Sequence, residues 1–265
     1  MTDNRSIGVF DSGLGGLTVL AALRKKFPQE SMVYLGDTAR LPYGTKSPET
    51  VIKYALANAK ALMQQAELKL LVVACNTATA HALPALLAAL PIPVIGVIEP
   101  GALEVVSNPK IKSVAVLATA GTTESKAYEI ALRKHGFAGP IYSQACPLWV
   151  PLVEEGLVTG PIAESIAKYY LNQLPAVPDA VVLGCTHYPL LLPVLRKMLS
   201  QETIWIDSGH ATANRAPSFA EATAGTAVHY FVTDAPKKFQ ELSSLFLGTP
   251  VLDAQVQLID VGVVS

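Results

Sequence analysis

Short apolar, β-branched runs alternate along this chain with longer stretches whose apolar positions recur at helical spacing. The short runs predict strands over residues 7–10, 32–36, 69–74, 94–97, 113–117, 141–143, 180–183, 203–206 and 229–233. The longer stretches predict helices over residues 16–26, 48–65, 77–90, 123–135, 161–174, 189–199 and 236–247. Strands that alternate with helices imply parallel sheets covered on both faces. The run Leu70-Leu71-Val72-Val73 carries no polar alternation, as a strand buried on both sides requires.

The pattern also repeats. Ala22-Leu23-Arg24-Lys25 recurs 109 residues later as Ala131-Leu132-Arg133-Lys134, and Cys75 recurs 110 residues later as Cys185. Two landmarks at nearly one offset point to a duplication, and the period is too long for a solenoid unit. The expected fold class is therefore α/β: two related parallel-sheet α/β domains with pseudo-two-fold symmetry and the active site in the crevice between them. The Pro-punctuated stretch 91–100 reads as the crossover. Residues 1–97 with 210–265 then form the first domain, and residues 98–209 the second. Groups at the carboxyl ends of strands in both domains would face one crevice.

Composition narrows the function. The chain has 265 residues, 51% of them hydrophobic and 15% charged, with a net charge of −1. That balance supports extensive burial and excludes a disordered chain. Basic residues are dispersed, so no nucleic-acid partner is expected. The N-terminal Met1-Thr2-Asp3-Asn4-Arg5 has no signal-peptide pattern, and no apolar run is long enough to span a bilayer, so no membrane partner is expected. Three cysteines, an odd number, argue against a disulfide framework and for a reducing, cytoplasmic setting.

The chemistry centres on Cys75 and Cys185. Each ends a short apolar run and precedes small polar residues, in Cys75-Asn76-Thr77 and Cys185-Thr186-His187. A strand-to-helix junction of this kind offers amides that favour a thiolate or a bound carboxylate. Cys146, in Ala145-Cys146-Pro147, has no duplicate and reads as core. The first predicted strand ends in Asp11-Ser12-Gly13-Leu14-Gly15-Gly16, whose spacing is not that of a dinucleotide fingerprint. Leu41-Pro42-Tyr43-Gly44 is a loop whose amides suit a carboxylate, and Glu154 is placed to face the crevice beside His187.

One reaction uses both thiols: inversion at a carbon acid, where one thiolate removes the α-proton and a thiol on the other face returns one. Asp11 and His187 are suitable proton-relay partners for Cys75 and Cys185. No cofactor and no metal are needed. Two other classes stay open on the residues alone. One is metal-dependent hydrolysis at Cys75, Cys185 and His187, although no local Cys-x-x-Cys pair is present. The other is a two-lobed binding protein without catalysis.

These residues resemble the bacterial glutamate racemases of the aspartate/glutamate racemase superfamily. The resemblance spans nearly the whole chain, through Gly8-Val9-Phe10-Asp11-Ser12-Gly13-Leu14-Gly15-Gly16-Leu17, Pro42-Tyr43-Gly44, Ala74-Cys75-Asn76-Thr77-Ala78, Val150-Pro151-Leu152-Val153-Glu154 and Leu183-Gly184-Cys185-Thr186-His187-Tyr188-Pro189-Leu190. It implies cofactor-independent interconversion of L- and D-glutamate, D-glutamate for peptidoglycan synthesis and hence cell wall biogenesis and cell shape, and a homodimer. It also implies Cys75 as the base for D-glutamate and Cys185 as the base for L-glutamate, with Asp11, Glu154 and His187 assisting. Ser12, Tyr43 and Gly44 would engage the side-chain carboxylate or the amine, and Asn76, Thr77, Thr122 and Thr186 the α-carboxylate and amine. An aspartate racemase with the same thiol pair is the alternative. Two departures stand out: Thr79 where the family pattern has serine, and an atypical 210–217 stretch. The N-terminal extension of relatives activated by a cell-wall precursor is not matched, which implies activity without that activator.

Overall fold

The two halves of the pattern resolve into two separate sheets. The computed structural model describes residues 3–217, 226–252 and 255–262; residues 1, 2, 218–225, 253, 254 and 263–265 of the expected first domain lie outside them. The first sheet holds β1 (Ser6–Asp11), β2 (Met32–Gly36), β3 (Leu68–Val73), β4 (Val94–Gly96), β9 (Val228–Val232) and β10 (Val256–Leu258). Its order is β10-β9-β2-β1-β3-β4. The second holds β5 (Val114–Ala118), β6 (Ile141–Ala145), β7 (Ala180–Gly184) and β8 (Ile204–Asp207), in the order β6-β5-β7-β8. Every strand pairing is parallel.

The core of the first sheet, β2-β1-β3-β4, has the same order as β6-β5-β7-β8. The two sheets are therefore built alike, and β9 and β10 extend only the first. Strands β2, β3, β5 and β7 are buried along their whole length, which accounts for their unalternated apolar sequences. The recurring Ala-Leu-Arg-Lys segment closes α1 (Leu17–Lys26) in one half and α6 (Ala127–Lys134) in the other. Its cationic residues lie in the last turn, where the helix dipole favours them.

All nine expected strands form, and the differences concern helices and one edge strand. The expected helix over 123–135 is broken into α5 (Ala120–Glu124) and α6 by Lys126, which takes a left-handed conformation at φ 55°. Ser125 fixes that break: its hydroxyl donates to the Thr122 carbonyl at 2.7 Å and accepts the Ala127 N–H at 3.2 Å. The expected helix over 189–199 shortens to a 3₁₀ turn, Tyr188–Leu191, followed by α9 (Leu192–Leu195). Pro189 and Pro193, lacking N–H donors, begin these pieces.

Helices α4 (Ile98–Val106), α7 (Trp149–Glu154) and α10 (Ser208–Arg215), and strand β10, were not expected from the pattern. The first two carry an internal proline and are short. The third is polar, and starts because the Asp207 carboxylate accepts the N–H groups of Gly209 at 2.7 Å and His210 at 3.3 Å. Helix α10 packs on both α1 and α4, so it touches both halves. The remaining helices, α2 (Pro48–Gln65), α3 (Asn76–Ala89), α8 (Gly160–Leu171) and α11 (Pro236–Leu247), lie where the periodicity predicts them.

Candidate active site

In each sheet the chain builds outward from one central strand and then returns to its other side: β1 beside β3, and β5 beside β7. Such reversals open a crevice at the strand carboxyl ends. Cys75 lies just past β3 and Cys185 just past β7. The duplication thus delivers a thiol to the same topological position twice.

Cys75 caps α3, and its sulfur accepts the Ala78 N–H at 3.4 Å. The Ser12 hydroxyl also pulls the thiol toward ionisation. Both contacts favour a thiolate. Burial outweighs them, and the Asp11 carboxylate adds to burial, so the thiol is pushed up from 9.0 to about 11. Cys185 sits 3.9 Å from Nδ1 of His187. Burial pushes its thiol well above the ordinary value, and the negative charges of Cys75, Asp11 and Glu154 act in the same direction. Each cysteine is only 6% exposed, and Cys75 lies within electrostatic reach of Cys185.

The groups around the two sulfurs differ. His187 Nε2 lies 3.2 Å from Oε1 of Glu154. With the carboxylate accepting Nε2–H, Nδ1 keeps its lone pair toward the Cys185 thiol. Asp11, buried at the end of β1, accepts the Gly13 N–H at 3.0 Å on one oxygen and the Thr186 hydroxyl at 3.5 Å on the other. Burial raises its carboxyl, while His187 and the loop amides oppose the rise. The glycine loop after β1 presses directly on the second half: a Cβ on Gly15 would lie 2.2 Å from Oγ1 of Thr186 and 2.4 Å from Nδ1 of His187. Only glycine permits that approach.

Hydroxyls and amides line the junction. Thr77 Oγ1 lies 2.9 Å from Thr119 Oγ1 and 3.2 Å from Thr122 Oγ1. Thr119, absent from the sequence reading, caps α5 and bridges to Thr122 at 3.0 Å. Its readable signal was a threonine just ahead of a helix. Asn76 accepts the Tyr128 O–H at 2.7 Å, a contact that an isolated helical tyrosine does not announce in sequence. Tyr43 is buried, and its hydroxyl donates to Asp37, which also binds Arg40 at 2.9 Å and Asn58 at 3.1 Å. Its side chain therefore anchors the Pro42-Tyr43-Gly44 turn, which packs against Thr119 through Gly44.

Cys146 lies in the hydrophobic core, its thiol on the Gln144 carbonyl at 3.7 Å and pushed up by burial. A surface cavity of about 590 Å³ between α4, α10 and β8 is lined by none of the candidate catalytic or binding residues. Among the described residues, no group of three His, Cys, Asp or Glu side chains could hold a metal ion. Nor is any helix there long and apolar enough to cross a membrane.

Comparison with known proteins shows the family and the fold. The sequence profile described as Asp/Glu/Hydantoin racemase matches residues 17–216. The chain is 46% identical to a glutamate racemase of Geobacter metallireducens, over 96% of this chain and 97% of the relative. It is similar in structure to the glutamate racemase isoform RacE1 of Bacillus anthracis, with a TM-score of 0.90, 36% identity and 97% of both chains covered. It is also similar to the glutamate racemase of Francisella tularensis solved in complex with D-glutamate, with a TM-score of 0.85, 36% identity, and 97% and 98% covered.

Proposed function

The chain belongs to the Asp/Glu/Hydantoin racemase family and, within it, to the glutamate racemases; from that premise we propose that it interconverts L- and D-glutamate without a cofactor, by a two-thiol mechanism. The observation that carries the reading is the equivalent position of two buried cysteines, one after β3 and one after β7. A planar carbanion has two faces, and this pair supplies one acid/base group for each.

In the direction from L to D, the Cys185 thiolate removes the α-proton and becomes a thiol. The electron pair left on carbon delocalises into the α-carboxylate. The Cys75 thiol then protonates the opposite face and becomes a thiolate. The reverse reaction exchanges the roles. Burial keeps both thiols protonated at neutral pH, so a thiolate must be made during the cycle. His187, backed by Glu154, takes the Cys185 proton through Nδ1, and Asp11, within electrostatic reach of Cys75, is the acceptor on the other side. The substrate ammonium adds a positive charge that favours either thiolate.

Substrate contacts follow the family pattern: Ser12, Tyr43 and Gly44 toward the side-chain carboxylate or the amine, and Asn76, Thr77, Thr122 and Thr186 toward the α-carboxylate and amine. The thiols are shielded and the two halves are bonded to each other, as where the Thr18 hydroxyl donates to the Thr186 carbonyl at 3.0 Å. The halves must part to admit glutamate. We further propose that residues 1–97 plus 210–265 and residues 98–209 form the two domains, and that the enzyme is a cytoplasmic homodimer whose D-glutamate supplies peptidoglycan.

Polarimetry of L-glutamate and L-aspartate with the purified protein tests it. Loss of optical rotation for glutamate, with aspartate turned over far more slowly, is expected. Faster racemisation of aspartate, or rotation unchanged for both, would overturn the assignment.

A further inference from the structure

Tyr128 lies in α6 of the second half and has no part in the proton-transfer scheme. Its ring is held between two glycines. A Cβ built on Gly184 would lie 3.1 Å from Cε2 of the ring, and one on Gly101 would lie 3.3 Å from Cε1. Gly184 is the residue before Cys185. At the other end, the hydroxyl crosses to the first half and donates to Oδ1 of Asn76 at 2.7 Å. Asn76 is the residue after Cys75. One buried side chain therefore touches the chain neighbours of both thiols.

The bond also fixes a direction. The Asn76 amide can turn either its oxygen or its nitrogen toward a neighbour. Here the phenol O–H donates, and that bond turns the oxygen toward Tyr128. The Asn76 Nδ2 is then left buried, with no hydrogen-bond partner among the described residues. Two N–H donors without an acceptor cost free energy in the ligand-free protein, and a bound carboxylate removes that cost.

The geometry points to Tyr128 as a positioning residue that orients the Asn76 amide toward the substrate carboxylate and holds the two cysteine-bearing junctions in register. The inference deepens the racemase reading and rests on it. The phenol, which also meets the Ser208 side chain, acts on the site through Asn76 and the ring slot, and touches no reacting atom.

A double-mutant cycle tests it, using Tyr128→Phe, Asn76→Ala and the pair, with kcat and KM for L-glutamate and the thermal midpoint of each variant. Tyr128→Phe keeps the ring and removes the bond. Its KM is expected to rise about tenfold, with kcat within about threefold of the unchanged enzyme. In the Asn76→Ala background, the same substitution is expected to change KM by less than about twofold. An unchanged KM for Tyr128→Phe, or equal losses in the two backgrounds, would overturn the inference and leave the racemase reading intact. An unchanged enzyme that does not racemise glutamate would overturn both. If Tyr128→Phe does not fold, Asn76→Asp decides. It keeps the acceptor for Tyr128 but has no N–H donors, so a KM raised as far as in Asn76→Ala supports the inference, and a normal KM contradicts it.

Discussion

The two halves share a strand order and each ends a central strand in a thiol, yet the chemistry behind the thiols differs. Behind Cys75 stand a carboxylate and a hydroxyl, Asp11 and Ser12. Behind Cys185 stands an imidazole backed by a carboxylate, His187 on Glu154 at 3.2 Å. The sheet dictates where a sulfur is delivered; its partners come from elsewhere, from the end of β1 for Cys75 and from the turn after β7 together with α7 for Cys185. A duplicated scaffold can therefore serve two mirror-image substrates without a mirror-image site.

That asymmetry has a thermodynamic limit. Enantiomers have equal free energies in water, so kcat/KM must be the same in both directions for every variant. Differences between the halves can appear only in kcat and KM separately and in isotope effects.

The largest expected effect tests the shared part. Cys75→Ala and Cys185→Ala should each lower racemisation by about 10³-fold or more, because each removes the only acid/base group on one face. Near-normal turnover by either would break the equivalence of the two thiols. Exchanging the relay groups tests the part that differs. His187→Gln and Asp11→Asn should each lower kcat/KM by about 10²-fold. The α-deuterium isotope effect should grow for L-glutamate in His187→Gln and for D-glutamate in Asp11→Asn. Identical isotope effects in the two variants would mean that the halves do not divide the labour.

The pH response comes next. An acid held above its ordinary pKa in the folded state stabilises the fold while it is protonated. For Cys75 that contribution is complete below about pH 9.0 and is lost as pH rises toward about 11. Alkylation of Cys75 by iodoacetamide should accelerate about tenfold per pH unit up to about pH 11, by mass spectrometry of the ligand-free enzyme. A plateau near pH 9.0 would show a thiol without the burial described. The smallest effect belongs to the cysteine outside the pair. Cys146→Ala should leave kcat within about twofold and lower stability by about 1 kcal/mol, measured by urea unfolding.

Much of this architecture was legible in the sequence, for identifiable reasons. Unalternated apolar runs marked the buried strands, and the recurring Ala-Leu-Arg-Lys and Cys landmarks marked two halves that do have one strand order. The helices missed were those begun or interrupted by side chains rather than by periodicity: the Asp207 cap of α10, the prolines inside α4 and α7, and the Ser125–Lys126 break ahead of α6. In the candidate site, residues adjacent to a cysteine or a glycine turn could be named because their neighbours in sequence are their neighbours in space. Tyr128 could not, since its partner Asn76 comes from the other half, 52 residues away, and Thr119 showed only as a helix cap, its bond to Thr77 spanning 42 residues. Tyr43 was named for its place in the Pro-Tyr-Gly loop, and its hydroxyl is held by Asp37, a contact that spacing does not reveal.

The central claim is that two sulfurs act on opposite faces of one carbon, and isotope tracing in deuterated water tests it most directly. L-glutamate is incubated in D₂O, and at early times both enantiomers are separated and their α-positions read by mass spectrometry. The account predicts D-glutamate that carries α-deuterium, delivered by the solvent-exchanged Cys75 thiol, alongside recovered L-glutamate that still carries its protium. D-glutamate that retains the original proton would mean a single group serving both faces, and would contradict the account.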